Sequence, residues 1–524
     1  MRAIIVDNQW IHFDTISTHE EDILWREFSV ADKKARFIDT ITAWDGIYRF
    51  YNKSRRKLAR PFLAMLKSVC DKHALPLEVI DAREEPKYTP IDKDTIDNKF
   101  LPDITLDDHQ VDWLKLTTSS ECGLCKAPTG SGKGELIAGT CKVIQCPTVI
   151  LADQTIVVEQ LKKRIELRDI IDTVGMFYAG SRPNGETIVV GTIQSLVPPR
   201  FKPKKPIRDE SDDDSDFKKK LDRHQKSLVA YATRIENSKK LLKYIKNADM
   251  LIVDEADKAV SGQWKEIFKN HFKGRRRYGF SGTPYDPAKP IQNMQVTAHL
   301  GSVIHEESVS NLQNIGRIIP IEYYMMSIGE NGSKDDRTVY DMAIDDFIVN
   351  NNEFHKKILN ICKIYSTDST MILVERETLG LILVEKLAQI GIEAHYIYGK
   401  TPKPKRREVL KNFEDKKFKV LVGGKIVNRG LDLKGGCDNL IIATGGKLQS
   451  TFIQQIGRAV RINTKGKSKV FDFLFLCNRY LYDHARNRLK IIVDSGYKST
   501  ILFKNGSIDG ADFIRRRFRI PTFK

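Results

Sequence analysis

Short apolar runs alternate with amphipathic stretches along most of the chain. Between about residues 100 and 300, the runs are separated by segments of helical periodicity. This alternation is typical of a parallel sheet with crossover helices. The predicted strands of this region are Gly123–Ala127, Thr148–Ala152, Thr187–Gly191, Met250–Val253 and Arg277–Ser281.

The same alternation begins again near residue 355. Two α/β units in succession predict a pair of related domains. Residues 1–95 alternate shorter runs, which predict a small α+β domain. The expected organisation is an N-terminal domain over 1–95, parallel-sheet domains over 96–310 and 311–500, and a basic tail over 501–524. The predicted strands of the second unit are Thr370–Val374, Ala394–Tyr398, Lys419–Val422, Leu440–Ala443 and Lys469–Phe473.

An insertion at residues 198–246 interrupts the first parallel-sheet unit. It contains a basic, proline-rich run, then an acidic run from Asp209 to Asp214, then a lysine-rich segment with apolar residues at helical spacing. The acidic run predicts a disordered surface loop. The lysine-rich helix is either solvated, which is the favoured interpretation, or a nucleic-acid contact.

The charge of the chain favours a polyanionic partner. Lys and Arg number 86 against 68 Asp and Glu, a net charge of +18. Basic side chains gain affinity by displacing counterions from phosphates. No apolar run is long enough to span a bilayer, and the first residues predict a strand rather than a signal peptide, so we expect no membrane contact and a cytoplasmic location.

The eight cysteines predict neither a disulfide framework nor a zinc site. Cys122 and Cys125 form a C-x-x-C pair, but no second pair or His cluster follows at zinc spacing. The pair lies in an apolar stretch, so a buried strand is the expected setting.

A glycine-rich loop follows the first predicted strand of the first α/β unit, Gly123–Ala127, and precedes a helical run. Backbone N–H groups in such a loop bind phosphates, and Lys133 would reach the β- and γ-phosphates of ATP. Gly134 stands where the usual motif has a Ser or Thr that binds Mg²⁺, so the loop alone could equally be a simple turn. The predicted ATP-binding residues are Pro128, Thr129, Gly130, Ser131, Gly132, Lys133 and Gly134.

Two adjacent carboxylates end the apolar run at residues 251–253. This position predicts that Asp254 holds Mg²⁺ and that Glu255 polarises the water that attacks ATP. Acidic residues also cap helices. Their order in the chain, after the phosphate loop, favours the catalytic interpretation.

Further segments complete an ordered set of motifs. Gln110 precedes the phosphate loop, and Thr192 and Gln194 follow a Val-rich run. With the D-E-A-D sequence at 254–257 and the S-G-T sequence at 281–283, they resemble the motifs of superfamily 2 helicases. The resemblance implies two tandem RecA-like domains with the ATP site between them. It further implies that Gln110 reads adenine, that Thr192 and Gln194 contact the nucleic-acid backbone, and that residues 281–283 link hydrolysis to movement.

The second unit carries the Q-x-x-G-R-x-x-R motif of the same family. It begins at Gln454, and its arginines are Arg458 and Arg461. The resemblance implies that these three residues act in catalysis, with the arginines reaching the γ-phosphate. A basic surface helix is the alternative interpretation.

A segment upstream, residues 420–432, resembles the family motif that contacts both nucleotide and nucleic acid. The resemblance implies that Arg429 contacts the nucleic acid. It places Gly430 and Asp432 at the nucleotide.

Many helicases with different substrates share these motifs, and the N-terminal region indicates which kind this chain resembles. Its W-D-G sequence at 44–46 and the segment 60–66 resemble the N-terminal domain of phage UvsW-type helicases, which implies a motor for branched DNA. Trp44, Lys53, Arg55 and Arg56 are the expected DNA contacts, with lysines and arginines on phosphates and aromatic rings near opened bases. Core aromatics beside a solvated basic loop are the alternative.

The expected function is ATP hydrolysis, with Mg²⁺, coupled to unwinding or branch migration of forks, Holliday junctions and D-loops in phage recombination, repair or replication. The expected partners are branched or forked double-stranded DNA and single-stranded DNA, bound by a monomer. A DEAD-box RNA helicase, a motor subunit of a restriction system and a binding protein with an inactive ATP site are the alternatives.

Overall fold

The structure is a computed structural model whose described residues form two compact units. One unit contains Met1–Ala127 and Gly132–Glu306, and the other contains Pro128–Ser131 and Glu307–Lys524. The described residues are all of 1–524 except 33–43, 179–180, 182, 197–200, 209–212, 261, 331–338, 425–435, 447–451, 453–454, 458–462, 464 and 516–524.

The N-terminal part of the first unit is a small α+β region. Its four-stranded sheet has the order β5-β2-β1-β6, in which β1 is antiparallel to β2 and parallel to β6. Apolar residues of the sheet and of two helices form one buried core. The elements are β1 (Arg2–Ile5), β2 (Trp10–Thr15), α1 (Thr18–Glu27), β3 (Ser29–Ala31), β4 (Ile47–Arg49), β5 (Lys57–Ala59), α2 (Leu63–Lys72) and β6 (Glu78–Asp81).

The rest of the first unit is built on a seven-stranded sheet of order β13-β7-β12-β11-β8-β10-β9, in which every neighbouring pair is parallel. The predicted strands match β7, β8, β10, β11 and β12 to within one residue at each end. The strands are β7 (Cys122–Lys126), β8 (Thr148–Ala152), β9 (Gly175–Phe177), β10 (Ile188–Thr192), β11 (Met250–Asp254), β12 (Arg276–Ser281) and β13 (Val303–Glu306). The helices are α3 (Asp108–Ser119), α4 (Lys133–Ile144), α5 (Thr155–Leu167), α6 (Asp214–Asn247), α7 (Gly262–Glu266) and α8 (Pro290–Leu300).

The insertion contains one long helix. The predicted helical spacing of its lysine-rich segment corresponds to α6, whose N-cap Asp213 accepts a hydrogen bond from the backbone of Asp216 at 2.7 Å. The buried residues of α6 all lie near its C-terminus, namely Ser238, Leu241 and Ile245. The preceding part of the helix therefore projects with most of its side chains in solvent.

The second unit is built on an eight-stranded sheet of order β16-β17-β15-β18-β19-β14-β20-β21. All neighbouring pairs are parallel except β20 and β21. The strands are β14 (Ile321–Ile328), β15 (Thr370–Val374), β16 (Ala394–Ile397), β17 (Val420–Gly423), β18 (Asn439–Ala443), β19 (Ser468–Phe475), β20 (Ser499–Phe503) and β21 (Gly506–Asp509). The helices are α9 (Val309–Asn314), α10 (Tyr340–Ile344), α11 (Asn352–Ile364), α12 (Glu377–Gln389), α13 (Lys403–Glu414), α14 (Arg479–Asp494) and α15 (Gly510–Arg515).

Residues 501–515, which the sequence analysis assigns to the start of a basic tail, belong to the second unit, where β20 and β21 extend the sheet and α15 follows them. Ile501 on β20 is fully buried, and Phe513 on α15 packs into the same core. The basic residues that suggested a tail begin only at Arg515, after these apolar positions. The two large parallel sheets with helices, preceded by the small α+β region, confirm the predicted fold class of two tandem RecA-like domains.

A cluster of charged side chains joins the N-terminal region to the seven-stranded sheet within the first unit. Glu121, just before β7, pairs with Arg60 at 2.6 Å, with Arg83 at 2.9 Å and with Arg275. We call these four residues the Glu121 cluster. Burial by itself raises the pKa of Glu121, but the three guanidinium groups lower it below the ordinary 4.5.

Glu121→Ala is expected to destabilise the first unit by about 2–4 kcal/mol, because it leaves three largely buried guanidinium groups without their carboxylate. Thermal unfolding measures this loss. Since the folded-state pKa of Glu121 is lowered, its stabilisation is present above pH 4.5 and disappears as the pH falls through the lower folded-state value. An unchanged melting temperature at pH 7 would contradict the assignment.

Candidate ATP and nucleic-acid sites

The carboxyl ends of the parallel strands of the first unit carry the predicted ATP-site residues. The phosphate loop follows β7, Asp254 ends β11 and Ser281 ends β12. In the sheet register, Asp254 pairs with Phe280, and Lys126 at the start of the loop pairs with Ser281. Ligands of open parallel sheets bind at this edge.

The loop has the backbone geometry of a phosphate-binding turn. Gly130 and Gly132 have φ values of 95° and 80°, which favour glycine. Gly132 caps α4, whose first N–H groups have no partner within the helix and attract anions. Lys133 is the first residue of α4, and its Nζ donates to the carbonyl of Ala127 at 3.2 Å. Of the remaining loop residues, Ser131 donates its backbone N–H to Pro128 at 3.2 Å.

Gln110 lies against the loop. It is buried at the start of α3, and its Oε1 accepts a hydrogen bond from the backbone of Asp107 at 3.0 Å. A Cβ on Gly132 would lie 2.3 Å from Gln110 Nε2. Gly132 is therefore required both by its backbone conformation and by the close approach of this glutamine.

Asp254, the last residue of β11, is desolvated, and Glu255, which follows it, has a strained backbone. Burial, and then the neighbouring Glu255 carboxylate, raise the pKa of Asp254 to about 7. Glu255 has a φ of 55°, which a non-glycine residue adopts at a cost of about 1–3 kcal/mol. Backbone strain of this kind is concentrated at functional sites.

A divalent cation fits this pair chemically. Two adjacent carboxylates at one strand end repel each other when both are ionised, and a bound cation relieves that repulsion. Asp254 is the carboxylate that would hold Mg²⁺ here. Gly134 offers no hydroxyl, and a Cβ at that position would lie 1.7 Å from Nη1 of Arg164 on α5.

A network that the sequence did not indicate links the acidic pair to a predicted nucleic-acid contact. Lys258 pairs with Asp153 at 2.7 Å, and Gln194 Nε2 donates to the same carboxylate at 3.2 Å. These residues adjoin a cavity of about 160 Å³ lined by Asp153, Ile193, Asp254, Glu255, Lys258, Gln263 and Trp264.

The two predicted contacts after β10 differ in exposure. Gln194 is exposed, whereas Thr192 is 4% exposed and its Oγ1 lies 2.8 Å from Ser195 Oγ. Thr192 thus shapes the turn, and Gln194 presents the polar group at its surface.

Ser281 connects the end of β12 to the D-E-A-D segment. Its Oγ donates to Asp257 Oδ1 at 3.0 Å and accepts from the backbone of Thr283 at 3.1 Å. Burial, and then Glu255, raise the pKa of Asp257 to about 6, although the hydrogen bond from Ser281 lowers it. The Ser281 hydroxyl therefore connects the D-E-A-D segment to the backbone of the S-G-T segment.

Six predicted site residues of the second unit lie outside the described residues: Arg429, Gly430, Asp432, Gln454, Arg458 and Arg461. Side chains of α14 bind the backbone of Gly445 and Gly446, which follow β18. Arg488 donates to the carbonyl of Gly446 at 2.8 Å and forms two 2.7 Å hydrogen bonds with the buried Asp472. His484 Nδ1 lies 2.8 Å from the carbonyl of Gly445.

The predicted DNA contacts of the N-terminal region occupy a turn and a neighbouring strand start. Lys53, Arg55 and Arg56 are exposed on the turn before β5, which is closed by an isolated pairing of Asn52 with Lys57. Trp44 is exposed and packs edge to face on Tyr48 at 5.2 Å.

Acidic neighbours reduce the charge of this turn. Lys53 pairs with Asp22 at 3.0 Å, and Arg56 lies 3.7 Å from Glu21. Arg55 forms no ion pair among the described residues. Its guanidinium is therefore the most available cation of the turn.

Cys122 and Cys125 both lie on β7, and Cys125 is buried. Cys122 Sγ accepts a hydrogen bond from Arg60 at 3.0 Å. Among the described residues, no three His, Cys, Asp or Glu side chains gather as metal ligands. No helix of the described chain has the length and apolar character needed to cross a bilayer.

Two family models match the chain in the order that the motifs predict. Residues 103–286 match the family described as the type III restriction enzyme, res subunit, and residues 351–463 match the helicase conserved C-terminal domain. With both matches and the ordered motifs in one chain, the protein resembles the helicases of superfamily 2.

Individual relatives are distant. The chain is 22% identical over 283 residues to a 51.5 kDa protein of a Lactococcus phage, which covers 50% of this chain and 57% of the relative. It is 29% identical over 105 residues to the ATP-dependent RNA helicase glh-1 of Caenorhabditis elegans, covering 20% and 14%. The chain thus spans little more than half the length of the first of these relatives and a small part of the second.

Two solved structures are similar to the chain to different degrees. A fragment of an HsdR subunit of a type I restriction enzyme from Vibrio vulnificus has a TM-score of 0.51 at 14% identity, covering 87% of this chain and 76% of that chain. UvsW of bacteriophage T4 has a TM-score of 0.43 at 14% identity, covering 96% and 99%.

Proposed function

We propose that this chain is an ATP-dependent DNA helicase or translocase that remodels branched DNA. The observation that carries the ATP-driven part is the convergence of the phosphate loop, Asp254 and Ser281 on one edge of a parallel sheet. Lys133 and the N-terminus of α4 bind the phosphates. Asp254 would hold Mg²⁺, which would neutralise charge on the phosphates, and Glu255 orients the attacking water.

The residues of the second domain complete this proposal. Arg458 and Arg461 stabilise the charge that develops on the γ-phosphate, and Gln454 assists them. Gly430 and Asp432 contact the nucleotide, and Arg429 the nucleic acid. The support is the gapless Q-x-x-G-R-x-x-R sequence together with the match of residues 351–463 to the helicase C-terminal domain.

Movement follows from the links between sites in the first domain. Lys258 joins the acidic motif to Asp153, and Asp153 holds Gln194 at the surface. In the proposed cycle, hydrolysis at the acidic pair acts on Gln194, the proposed nucleic-acid contact, through Lys258 and Asp153.

Branched DNA is proposed as the substrate on the basis of the N-terminal region. The exposed Trp44 and Tyr48 rings offer stacking surfaces for opened bases, and the turn with Arg55 offers cations for phosphates. The region holds one arm of a fork or junction while the motor acts on another. The setting we propose is phage recombination, repair or replication, with the protein working as a monomer in the host cytoplasm.

ATP hydrolysis with different nucleic acids tests the substrate. The purified chain is assayed with four-way junction, forked, linear duplex and single-stranded DNA, and with RNA. Greatest stimulation by junction or fork DNA is the expected result. Stimulation by RNA alone would identify an RNA helicase instead, and stimulation by every duplex without unwinding would identify a translocating restriction motor.

Arg55→Glu is expected to weaken junction binding and to reduce the slope of log affinity against log salt by about 1, because one phosphate contact is lost. Binding is measured by fluorescence anisotropy over a salt series. Glu78→Lys, an exposed charge change on β6, is the control. Unchanged affinity and slope for Arg55→Glu would remove this turn from the DNA interface.

A further inference from the structure

The phosphate loop departs from its usual sequence at Gly134, and another side chain occupies the space thereby left open. Nη1 of Arg164 lies only 1.7 Å from the position that a Cβ on Gly134 would occupy. A side chain at position 134 would therefore collide with this guanidinium group. The arginine reaches there from α5, and its Nε pairs with Glu135 at 3.0 Å. Because Gly134 has no side chain, the guanidinium group of Arg164 can occupy the space beside it.

The location is electrostatically unusual for a cation. The first turn of a helix carries the positive end of the helix dipole, so a cation there is disfavoured by about 0.3–1 kcal/mol unless an anion offsets it. Glu135 supplies one carboxylate, but it also pairs with Arg168 at 3.0 Å. Arg164 and Arg168 therefore share one carboxylate in the first turn of α4, the turn that Lys133 begins.

This surplus of positive charge suits a polyphosphate. Guanidinium groups bind phosphate oxygens with two parallel hydrogen bonds, and such charge-assisted bonds are about twice as strong as neutral ones. A Ser or Thr hydroxyl at position 134 would have acted through Mg²⁺, whereas a guanidinium at the same place repels a metal ion and attracts the phosphates directly.

We propose that Arg164 is a phosphate-binding residue of the ATP site, so that nucleotide binding depends less on Mg²⁺ than it would with a hydroxyl at position 134. The inference rests on the proposed ATP site. It also separates two tasks: Arg164 and Lys133 hold the phosphates, and Asp254 alone brings the metal needed for hydrolysis.

Equilibrium titration with a fluorescent ATP analogue, in Mg²⁺ and in excess EDTA, tests the proposal without relying on activity. The wild-type chain is expected to lose less than about tenfold in affinity in EDTA, whereas Arg164→Ala is expected to lose about tenfold or more relative to wild type in EDTA, as one charge-assisted hydrogen bond is removed. Lys163→Ala, the exposed neighbour on α5, is the matched control and should bind as wild type.

A double variant, Gly134→Ser with Arg164→Ala, restores the usual arrangement. It should recover affinity in Mg²⁺ but not in EDTA. Arg164→Gln guards against a folding defect of the alanine variant and should lose affinity equally, with thermal unfolding as the check.

Two outcomes distinguish a failure of the proposed role of Arg164 from a failure of the proposed ATP site. If the wild type binds the analogue and both Arg164 variants bind it equally well in EDTA, Arg164 has no role in phosphate binding, while the ATP site stands. If the wild type fails to bind the analogue under either condition, the ATP site itself is overturned, and the inference about Arg164 falls with it.

Discussion

Lys133→Ala is expected to reduce ATP hydrolysis by at least about 10²–10³-fold, the loss typical of removing one electrostatic donor from a transition state. The ammonium group is held at the start of α4 by the carbonyl of Ala127, where the helix N-terminus and the glycine loop also point toward the phosphates. Steady-state phosphate release, measured with junction DNA at saturation, gives the loss directly.

The same variant should bind junction DNA as the wild type does when nucleotide is absent, since the proposed DNA contacts are other residues. Lys115→Ala removes an exposed lysine from α3 and is the matched control for charge. Hydrolysis at a near wild-type rate in Lys133→Ala would show that the phosphates bind elsewhere.

Glu255→Gln should leave nucleotide binding intact and slow hydrolysis by about 10²–10⁴-fold, the contribution typical of a general base. The glutamine preserves the size of the side chain, and the cost of the left-handed backbone at φ 55° is the same as for glutamate. It also removes the carboxylate that helps to raise the pKa of Asp254, so the metal-binding carboxylate should ionise more readily.

Single-turnover hydrolysis and analogue titration on the same protein separate the two effects. Glu266→Gln, an exposed change on α7, is the control. Weakened nucleotide binding with an unchanged hydrolysis step would assign Glu255 to structure rather than to catalysis.

The strands of both large sheets were predictable because strands buried on both faces are nearly continuous apolar runs. β11 and β15 are fully apolar or small over their central residues, and the sequence predicts each to within one residue. The end of the chain was harder to predict, because β20 and β21 are short and partly exposed. The basic residues near the C-terminus favoured the prediction of a tail, although Ile501 in the same region is fully buried.

Within the candidate site, the residues that lie in contiguous motifs were predictable, and those that act through distant contacts were not. Lys258 directly follows the D-E-A-D sequence, but its partner Asp153 lies 105 positions earlier in the chain. Likewise, Arg164 meets Gly134 only because α5 packs beside α4. The missing hydroxyl at Gly134 signalled that something replaces it, but a single sequence carries no record of which side chain does so.

Thr192 lies within a predicted motif, but the sequence did not predict the direction of its side chain. The motif indicates a polar residue at the end of β10, and the structure buries its hydroxyl against Ser195. Sequence resemblance gives the position of a residue in a motif, whereas the direction of its side chain depends on the turn that follows.

The Glu121 cluster has a mechanical consequence. Arg277 of β12, fully buried, also donates to the carbonyl of Asn8 at 3.0 Å, so the N-terminal sheet and the strands of the ATP-binding sheet are joined at several points rather than by a flexible linker. A DNA arm held on the turn of residues 52–57 would be carried round by whatever rotation the ATP-binding sheet undergoes. The N-terminal region would then turn together with the seven-stranded sheet, so that no separate hinge is needed to transmit the motion to it.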